Sequence, residues 1–520
     1  MRWLLYIGFL LSAGWVISQQ NTLLLHSYFK DQLFDNSRNN RYNGGSFLPA
    51  FESDYDLNYV IRDSSKQYYE LTEILFKKHL IEVKGSNYFL TISPVADLAY
   101  GKDLEDTNVR KLFQNTRGVF IEGDLFKNFS FSTAIFENQG RFSNYESAYY
   151  SSIGELYPNQ INGVYTTQNA VIPGSARTKP FNKDGFDYGY ATGNIIYRPH
   201  PSITLSAGNT SHFIGEGHRS LFMSDNSVPA PFLRGTFKIS DKIQFNYLRM
   251  RLFNLMRRPV STTVESYYES KAYSINYLSF KPNSKFSVSL FEGVIWSRGD
   301  SIVSRPANPL FYNPVPILSR LILSDTVVNS VLGIDVSLPI LQGHRFYGQF
   351  AIGNLNPKSI AFQLGYRGYS LFGIGGLMAQ LEYNNVSSGM YQSSNQRLNY
   401  SHYNLPMAHV KGNSFQEFVF RCNYEWKRLY ADLKTIYYVV SDHSPLALLP
   451  VVKTLPADAG MDGNILHNTL EVGYRFNRKM NLTIFGNWQL RNYDLEPDHL
   501  KNGLVFVGLR TGINNHYNDF

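Results

Sequence analysis

The chain has 520 residues, 15% of them aromatic (37 Tyr and 37 Phe among them) and only 17% charged, with a formal net charge of +8. A single cysteine, Cys422, excludes a disulfide framework, and beyond the opening segment no run of about eighteen apolar residues offers a membrane-spanning helix. An exported soluble β-protein or an outer-membrane barrel remains, and many aromatics with few charges suit the aromatic girdles and polar lumen of a barrel.

The amino terminus reads as a signal peptide over residues 1–18. Met1-Arg2 precedes the apolar run Trp3 to Ile17, and a cut after Ser18 would start the mature chain at Gln19. The alternative, an uncleaved anchor, falls short of the ~20 residues a spanning helix needs. Residues 19–86 form a separate amino-terminal periplasmic or plug segment. They are polar and Asn-rich up to Asn58, and then Tyr68, Leu71, Ile74 and Leu75 recur at helical spacing behind a capping Ser64. This predicts one amphipathic helix from Ser64 to about Ile81, beneath or inside whatever follows.

From Asn87 the period changes to two. Phe129, Phe131, Thr133 and Ile135 alternate with Ser130, Ser132 and Ala134, and Ile360, Phe362, Leu364 and Tyr366 oppose Ala361, Gln363, Gly365 and Arg367. Phe418, Phe420, Cys422 and Tyr424 likewise oppose Glu417, Val419, Arg421 and Asn423, while Leu470 and Val472 oppose Glu471 and Gly473. An apolar face opposite Glu, Arg, Gln and Gly is what a lipid-facing wall requires, although a soluble sandwich alternates too.

The connections discriminate better. Short turns at 124–128, 198–202, 240–242, 281–285, 338–344, 367–371, 426–428 and 477–479 alternate with long loops at 138–185, 213–230, 254–270, 297–328, 387–415 and 440–467. Short periplasmic turns and long extracellular loops are the signature of an outer-membrane barrel. Residues 87–520 are therefore expected to be an all-β, transmembrane antiparallel barrel of about 18 strands in the outer membrane of a Gram-negative bacterium. Two places resist: the strand around Gln244–Leu252 slips phase, and 354–359 is short where a long loop is due. The last strand, expected over 503–513, must pair with the first or leave a bare edge in lipid. Phe520 at the terminus reads as a signal to the barrel-assembly machinery.

The stretches "LFQNTRGVFIEGDLFKNFSFSTAIFENQ" (112–139), "GNTSHFIGEGHRSLFMSDNSVPAPFLR" (208–234), "NPLFYNPVP" (308–316), "GYRFNRKMNLTIFGNW" (473–488) and the closing "NHYNDF" resemble the capsule-assembly Wzi family, and more closely the RemB-type outer-membrane proteins of gliding motility. The resemblance implies an eighteen-stranded barrel with a helical amino-terminal segment. It also implies a role in holding surface polysaccharide, with motility or secretion proteins as further partners. It assigns no sugar-contact residue.

The residues themselves offer several candidate sites. In "IGEGHRS", Gly215 and Gly217 beside His218 and Arg219 could cradle an anion, or the segment could be a folded-in loop with His212, Arg219, Asp225 and Asn226 lining a polar pocket. The basic excess favours acidic surface polysaccharide or lipopolysaccharide over nucleic acid in an exported chain. Arg257 and Arg258 with Tyr267 and Tyr268 form the clearest basic-aromatic loop, since rings stack on sugars and guanidinium forks bind carboxylates; a girdle touching lipid headgroups is the alternative. Catalysis draws less support. Ser211, His212, His402, Asp442 and His443 fall in or near outer loops without a nucleophile motif, so the expectation is a non-enzyme. His402 and His409 lie seven apart, and Asp458 and Asp462 lack calcium-loop spacing, so neither metal nor cofactor is expected. A passive pore stays open as a further reading, as does a subunit of a motility or secretion complex.

Overall fold

The two-residue period is realised as a wall whose side chains alternate between lumen and exterior. The structure, a computed structural model, describes residues 21–36, 45–52, 70–106, 111–158, 165–257, 268–283, 286–298, 308–324, 326–441, 448–451, 463–495 and 498–520. The wall strands are β1 (Tyr88–Asp103), β2 (Lys111–Leu125), β3 (Phe129–Arg141), β4 (Gly185–His200), β5 (Ile203–Thr210) and β6 (Ala230–Ser240). They continue as β7 (Ile243–Arg257), β8 (Tyr268–Asn283), β9 (Phe286–Ser297), β10 (Val328–Leu341), β11 (His344–Gly353) and β12 (Ile360–Tyr369). The last six are β13 (Leu377–Val386), β14 (Phe415–Trp426), β15 (Leu429–Val440), β16 (Gly463–Asn477), β17 (Leu482–Leu495) and β18 (Asp498–Thr511). Each pairs antiparallel with its neighbours, and the eighteen close into one barrel.

Closure is direct. Leu504 of β18 faces Asp103 of β1, Val507 faces Tyr100 and Arg510 faces Asp97. Where β18 ends, the short strand Ile81–Lys84 takes over, pairing Ile81 with Ile92 and Lys84 with Phe89, so β1 has no bare edge along these residues. An unpaired edge could not be satisfied in hydrocarbon.

The sense of the alternation is that of a membrane barrel. Ile135, Leu364, Phe418 and Val507 are exposed, whereas Ser130, Gln363, Glu417 and Arg421 are buried. Among the described residues no helix is long and apolar enough to cross a membrane, so any crossing is made by strands. Most short connections fall at one rim and most longer ones at the other; the exceptions are 354–359 between β11 and β12, short as the sequence suggested, and the two-residue link between β17 and β18, both at the long-loop rim. Gly343 takes φ +84 in the two-residue turn between β10 and β11.

Several expectations shift. The helix predicted over 64–81 is described as α2 only at Glu70–Phe76; 64–69 lie outside the described residues, and Ile81 belongs to the short strand at the seam. The polar stretch before it contains a helix the periodicity did not announce, α1 (Ser27–Asn36). The terminal strand is 498–511 rather than 503–513. The phase slip around Gln244–Leu252 has a cause: Arg249 on the outer face of β7 is buried beneath residues of the β9–β10 connection. The signal-peptide residues lie outside the described ones.

The lumen is filled from both ends. The β5–β6 connection (211–229) and the β13–β14 connection (387–414) fold inward, and Phe222 stacks on Phe291 of β9 at 4.4 Å. Tyr273, Tyr277, Tyr391, Tyr400 and Met407 join the same buried cluster. At the short-turn rim, Asp31 of α1 pairs with Arg421 at 3.1 Å and its carbonyl accepts from Tyr369 Oη. At the other rim, α3 (Asn144–Ser152) starts where the Ser143 N–H and hydroxyl donate to the Glu146 carboxylate.

Candidate functional site

The Gly-rich turn does cradle an anion, but the anion is the chain's own. The backbone N–H groups of His218 and Arg219 donate to the Glu382 carboxylate at 2.7 and 3.1 Å. A Cβ on Gly217 would stand 2.6 Å from that carboxylate, so only glycine permits the approach.

Arg219 is 2% exposed and is held within the protein through its Nε and Nη2, while its buried Nη1 has no hydrogen-bond partner. Its Nε donates to Glu417 at 3.0 Å, its Nη2 donates to Tyr438 at 2.9 Å, and the same Nη2 stands 3.0 Å from Asp519. Lys434 reaches Asp519 at 2.6 Å. This corrects the reading of Arg219 as a ligand group: it is the hub joining the folded-in loop, the wall and the carboxyl-terminal tail.

His212 and Asn226 are corrected in the same sense. His212 is buried edge-on to Phe232 at 4.6 Å, and burial, with Arg234 nearby, holds its pKa well below the usual histidine range. Asn226 is buried and donates to the Pro406 carbonyl at 2.9 Å. His402 accepts from the Phe253 N–H at 3.0 Å, and His409 is 2.7 Å from Glu417. None of these histidines lines an open cleft.

Phe520 does not lie in the wall. β18 ends at Thr511, and the tail turns back into the lumen. Asn515 donates to the Leu25 carbonyl and to Asp225 at 3.0 and 2.9 Å, and Asn518 donates to Gln489 at 2.9 Å. The Phe520 ring is buried on Tyr149 of α3. An aromatic final residue is thus a packing group at the long-loop rim, not the last outward residue of a terminal strand.

The basic-aromatic pair predicted at the outer rim is partly assembled; Arg258 and Tyr267 lie outside the described residues. Arg257, at the outer end of β7, donates through Nε to Glu155, which also accepts from Tyr268 Oη at 2.9 Å, Arg177 at 2.9 Å and Asn169 at 3.0 Å. Burial alone would push the Glu155 pKa up, but these hydrogen bonds and the Arg177 charge outweigh it and hold it below the usual range. The Arg257 guanidinium lies 4.8 Å from the Tyr268 ring centre and 5.6 Å from that of Tyr157, and its Nη1 and Nη2 have no hydrogen-bond partner. Two arginines around one carboxylate leave a net positive charge between aromatic faces. Glu155, Tyr157 and Arg177 were not legible as site residues, because they reach Arg257 from a loop about a hundred residues earlier and carry no local motif.

A second feature is a cavity of about 280 Å³ inside the barrel, where α1 and the tail meet the wall. Its lining charges neutralise one another: Arg510 with Glu471 at 2.9 Å, His516 with Asp97 at 2.8 Å, Arg421 with Asp31. It is a polar chamber without a dominant sign.

No protein-family profile and no curated protein matches the sequence. Among solved structures, the fold is similar to Wzi of Escherichia coli, described as an outer membrane protein involved in group 1 capsule assembly and a carbohydrate binding β-barrel. The TM-score is 0.56 at 11% identity, over 94% of this chain and 99% of that one. OccAB2 of Acinetobacter baumannii (TM-score 0.43, 9% identity, 81% of this chain and 96% of that one) and a BenF-like porin of Pseudomonas fluorescens (0.41, 10%, 81% and 97%) also match. At such identities the likeness to Wzi concerns the fold, that of an outer-membrane barrel. None of these matches bears on the RemB-type resemblance.

Proposed function

We propose that the chain is an outer-membrane barrel of a Gram-negative bacterium that holds an acidic surface polysaccharide at its outer rim without cleaving it. The observation that carries this reading is the Arg257 cluster: a guanidinium with two unpartnered nitrogens, anchored by Glu155 and flanked by Tyr157 and Tyr268. These donors are buried, Arg257 being 6% exposed, so a glycan reaches them by parting the rim side chains; the fork it then meets between ring faces suits the carboxylate and ring of an acidic sugar. The filled lumen supports it against the passive pore, since the space that would carry solutes is occupied by Phe222, Tyr273, Tyr391 and Tyr400. That His402 and His409 are hydrogen-bonded within the protein and His212 is buried against Phe232 supports binding over hydrolysis; Asp442 and His443 lie outside the described residues. The description of Wzi as carbohydrate binding agrees, by analogy of fold.

The test is retention of acidic polysaccharide by cells, and by purified barrel on a glycan array, for the parent and for Arg257→Gln. The variant is expected to lose most of the binding while keeping its heat-modifiable band. Equal binding would overturn the assignment. Steady, large conductance of the parent in liposomes would favour the pore instead. A protein recovered without glycan in a mild-detergent pull-down would favour the motility-complex reading that the RemB-type resemblance implies.

A further inference from the structure

The outer face of a membrane barrel should be apolar, yet three adjacent strands carry polar groups there. On β7, β8 and β9 the inward residues are Leu248, Ile275 and Tyr277, and Phe291, all in the lumenal cluster. Strand alternation therefore turns Arg249, Asn276 and Glu292 outward. Register places them side by side, with Asn276 directly opposite Glu292 and Ile275 opposite Leu248. They form a chain: Arg249 Nη2 donates to Asn276 Oδ1 at 3.1 Å, and Asn276 Nδ2 donates to Glu292 Oε2 at 2.9 Å.

All three are nonetheless buried, because the β9–β10 connection folds back over them. The Asn313 carbonyl accepts from Arg249 at 2.8 Å, the Ile317 N–H donates to Glu292 at 2.7 Å, and the Tyr312 carbonyl accepts from Tyr247 at 3.0 Å. Phe311 packs edge-on to Trp296, another outward residue, at 6.2 Å. Ile317 takes φ +70, a left-handed conformation that β-branched residues avoid, so its contact with Glu292 holds an unfavourable backbone in place.

The opposite side of this segment is apolar and uncovered: Tyr312, Val315, Ile317, Leu321 and Ile322 are exposed, Leu321 by 71%. These residues continue the outward band of Leu290 and Ile334. Glu292 stands six residues above Phe286 at the short-turn rim. At a rise of ~3.4 Å per residue and a tilt of ~40°, that is about 15 Å up an apolar band ~25 Å tall.

We infer that residues 308–323 are a re-entrant flap seated in the acyl chains of the outer leaflet, latched to the wall by Arg249, Asn276 and Glu292. The latch satisfies the flap's backbone where no water can reach it, and the flap in turn shields three polar wall residues from lipid. Lipid is the occupant because the flap's exposed face continues the band that already meets hydrocarbon.

The experiment labels Leu321→Cys with a fluorophore, in a Cys422→Ser background, after reconstitution of the full chain into phosphatidylcholine liposomes. Nitroxide attached to the lipid acyl chains is expected to quench most of the emission, and aqueous iodide almost none. Iodide quenching without lipid quenching would overturn the proposal by placing the flap in water. Protection from both would overturn it by showing a second copy on that face. The quenching measurement leaves the latch intact, so it does not depend on a variant that could misfold. For the latch itself, Arg249→Met, Asn276→Leu and Glu292→Leu together should narrow the spin-label spectrum at position 321 while the heat-modifiable band persists. An unchanged spectrum in that folded variant would show that the triad does not hold the flap.

Discussion

Phe520 stacks on Tyr149 with 3.9 Å between ring centres and 29° between ring planes. The two residues belong to opposite ends of the barrel by chain position: β18 runs down to Thr511 at the short-turn rim, whereas Tyr149 sits on α3 in a connection at the long-loop rim. Nine residues, 512–520, can bridge that gap because an extended chain spans up to about 3.5 Å per residue. The tail is a strut through the lumen, fixed along its length by Asn515, Asn518 and Asp519.

Wall and strut should therefore separate. Truncation after Thr511 is expected to leave the β18–β1 seam intact and to preserve the heat-modifiable band on gels. It should also open the polar chamber and raise liposome conductance above that of the parent. Truncation after Asn502 removes Leu504, Val507 and Arg510 from the seam and should abolish insertion. If the shorter truncation also failed to insert, the last nine residues would be required for assembly, as an aromatic terminal signal would require.

Arg219 is the second load point. Replacing it with Ala leaves Glu417 and Asp519 buried without their shared cation, and breaking a buried ion pair from one side costs about 3–5 kcal/mol. Combining Arg219→Met with Asp519→Asn should recover part of that loss, since fewer uncompensated charges remain. A denaturant series on the barrel in detergent micelles measures both. Additive losses in the double variant would show that the two residues act independently.

What the sequence disclosed follows from the length scale of each signal. The wall was legible because alternation is local: Phe418, Phe420 and Tyr424 against Glu417 and Arg421 reveal their two faces within eight residues. The turns were legible for the same reason. The lumen was not. Arg219 meets Asp519 across three hundred residues, and Glu155 meets Arg257 across about a hundred, so no window along the chain contains either pair. Phe520 misled because its type matches a wall-end aromatic, whereas its position is set by Tyr149 and Tyr150. The phase slip near Arg249 was visible as an anomaly, but its cause lies in a connection sixty residues away.

Acid should loosen the plug before it reaches the wall. His212 and His218 have folded pKa values well below the usual one, chiefly through burial. Unfolded histidine takes up its proton near pH 6.5 while the folded groups stay neutral, so their contribution is full above about pH 6.5 and is lost as pH falls toward the folded values. Asp519 is also lowered: burial opposes its charge, but Arg219 and Lys434 prevail. Its contribution is full above its unfolded value near pH 4 and declines only below that. Protease cleavage of the tail should accordingly rise in two steps, one beginning below about pH 6.5 and a second below about pH 4. A His218→Gln, His212→Gln variant should shrink the first step, to which His26, His402 and His409, also lowered chiefly by burial, contribute the remainder, and should keep the second. Tail accessibility that is flat between pH 7 and 4 would refute the histidine assignment.

The rim cluster gives the last prediction its sign. Arg257 and Arg177 share Glu155, leaving one net positive charge beside Tyr157 and Tyr268. Attraction between that charge and an acidic glycan is screened over about 8 Å at physiological ionic strength and about 3 Å at 1 M. Binding to an acidic polysaccharide should therefore weaken as salt rises, while a neutral glycan of the same backbone binds weakly at every salt concentration. Arg257→Lys is expected to behave nearly as badly as Arg257→Gln, because a lysine ammonium offers neither the planar fork nor the stacking surface that the two tyrosines receive. Arg177→Gln should do less harm to affinity, since Arg177 serves Glu155 rather than the space between the rings. Glycan-array titrations at two ionic strengths decide it: an affinity indifferent to salt, or an Arg257→Lys variant equal to the parent, would mean that the cluster braces the rim and that the polysaccharide is held elsewhere.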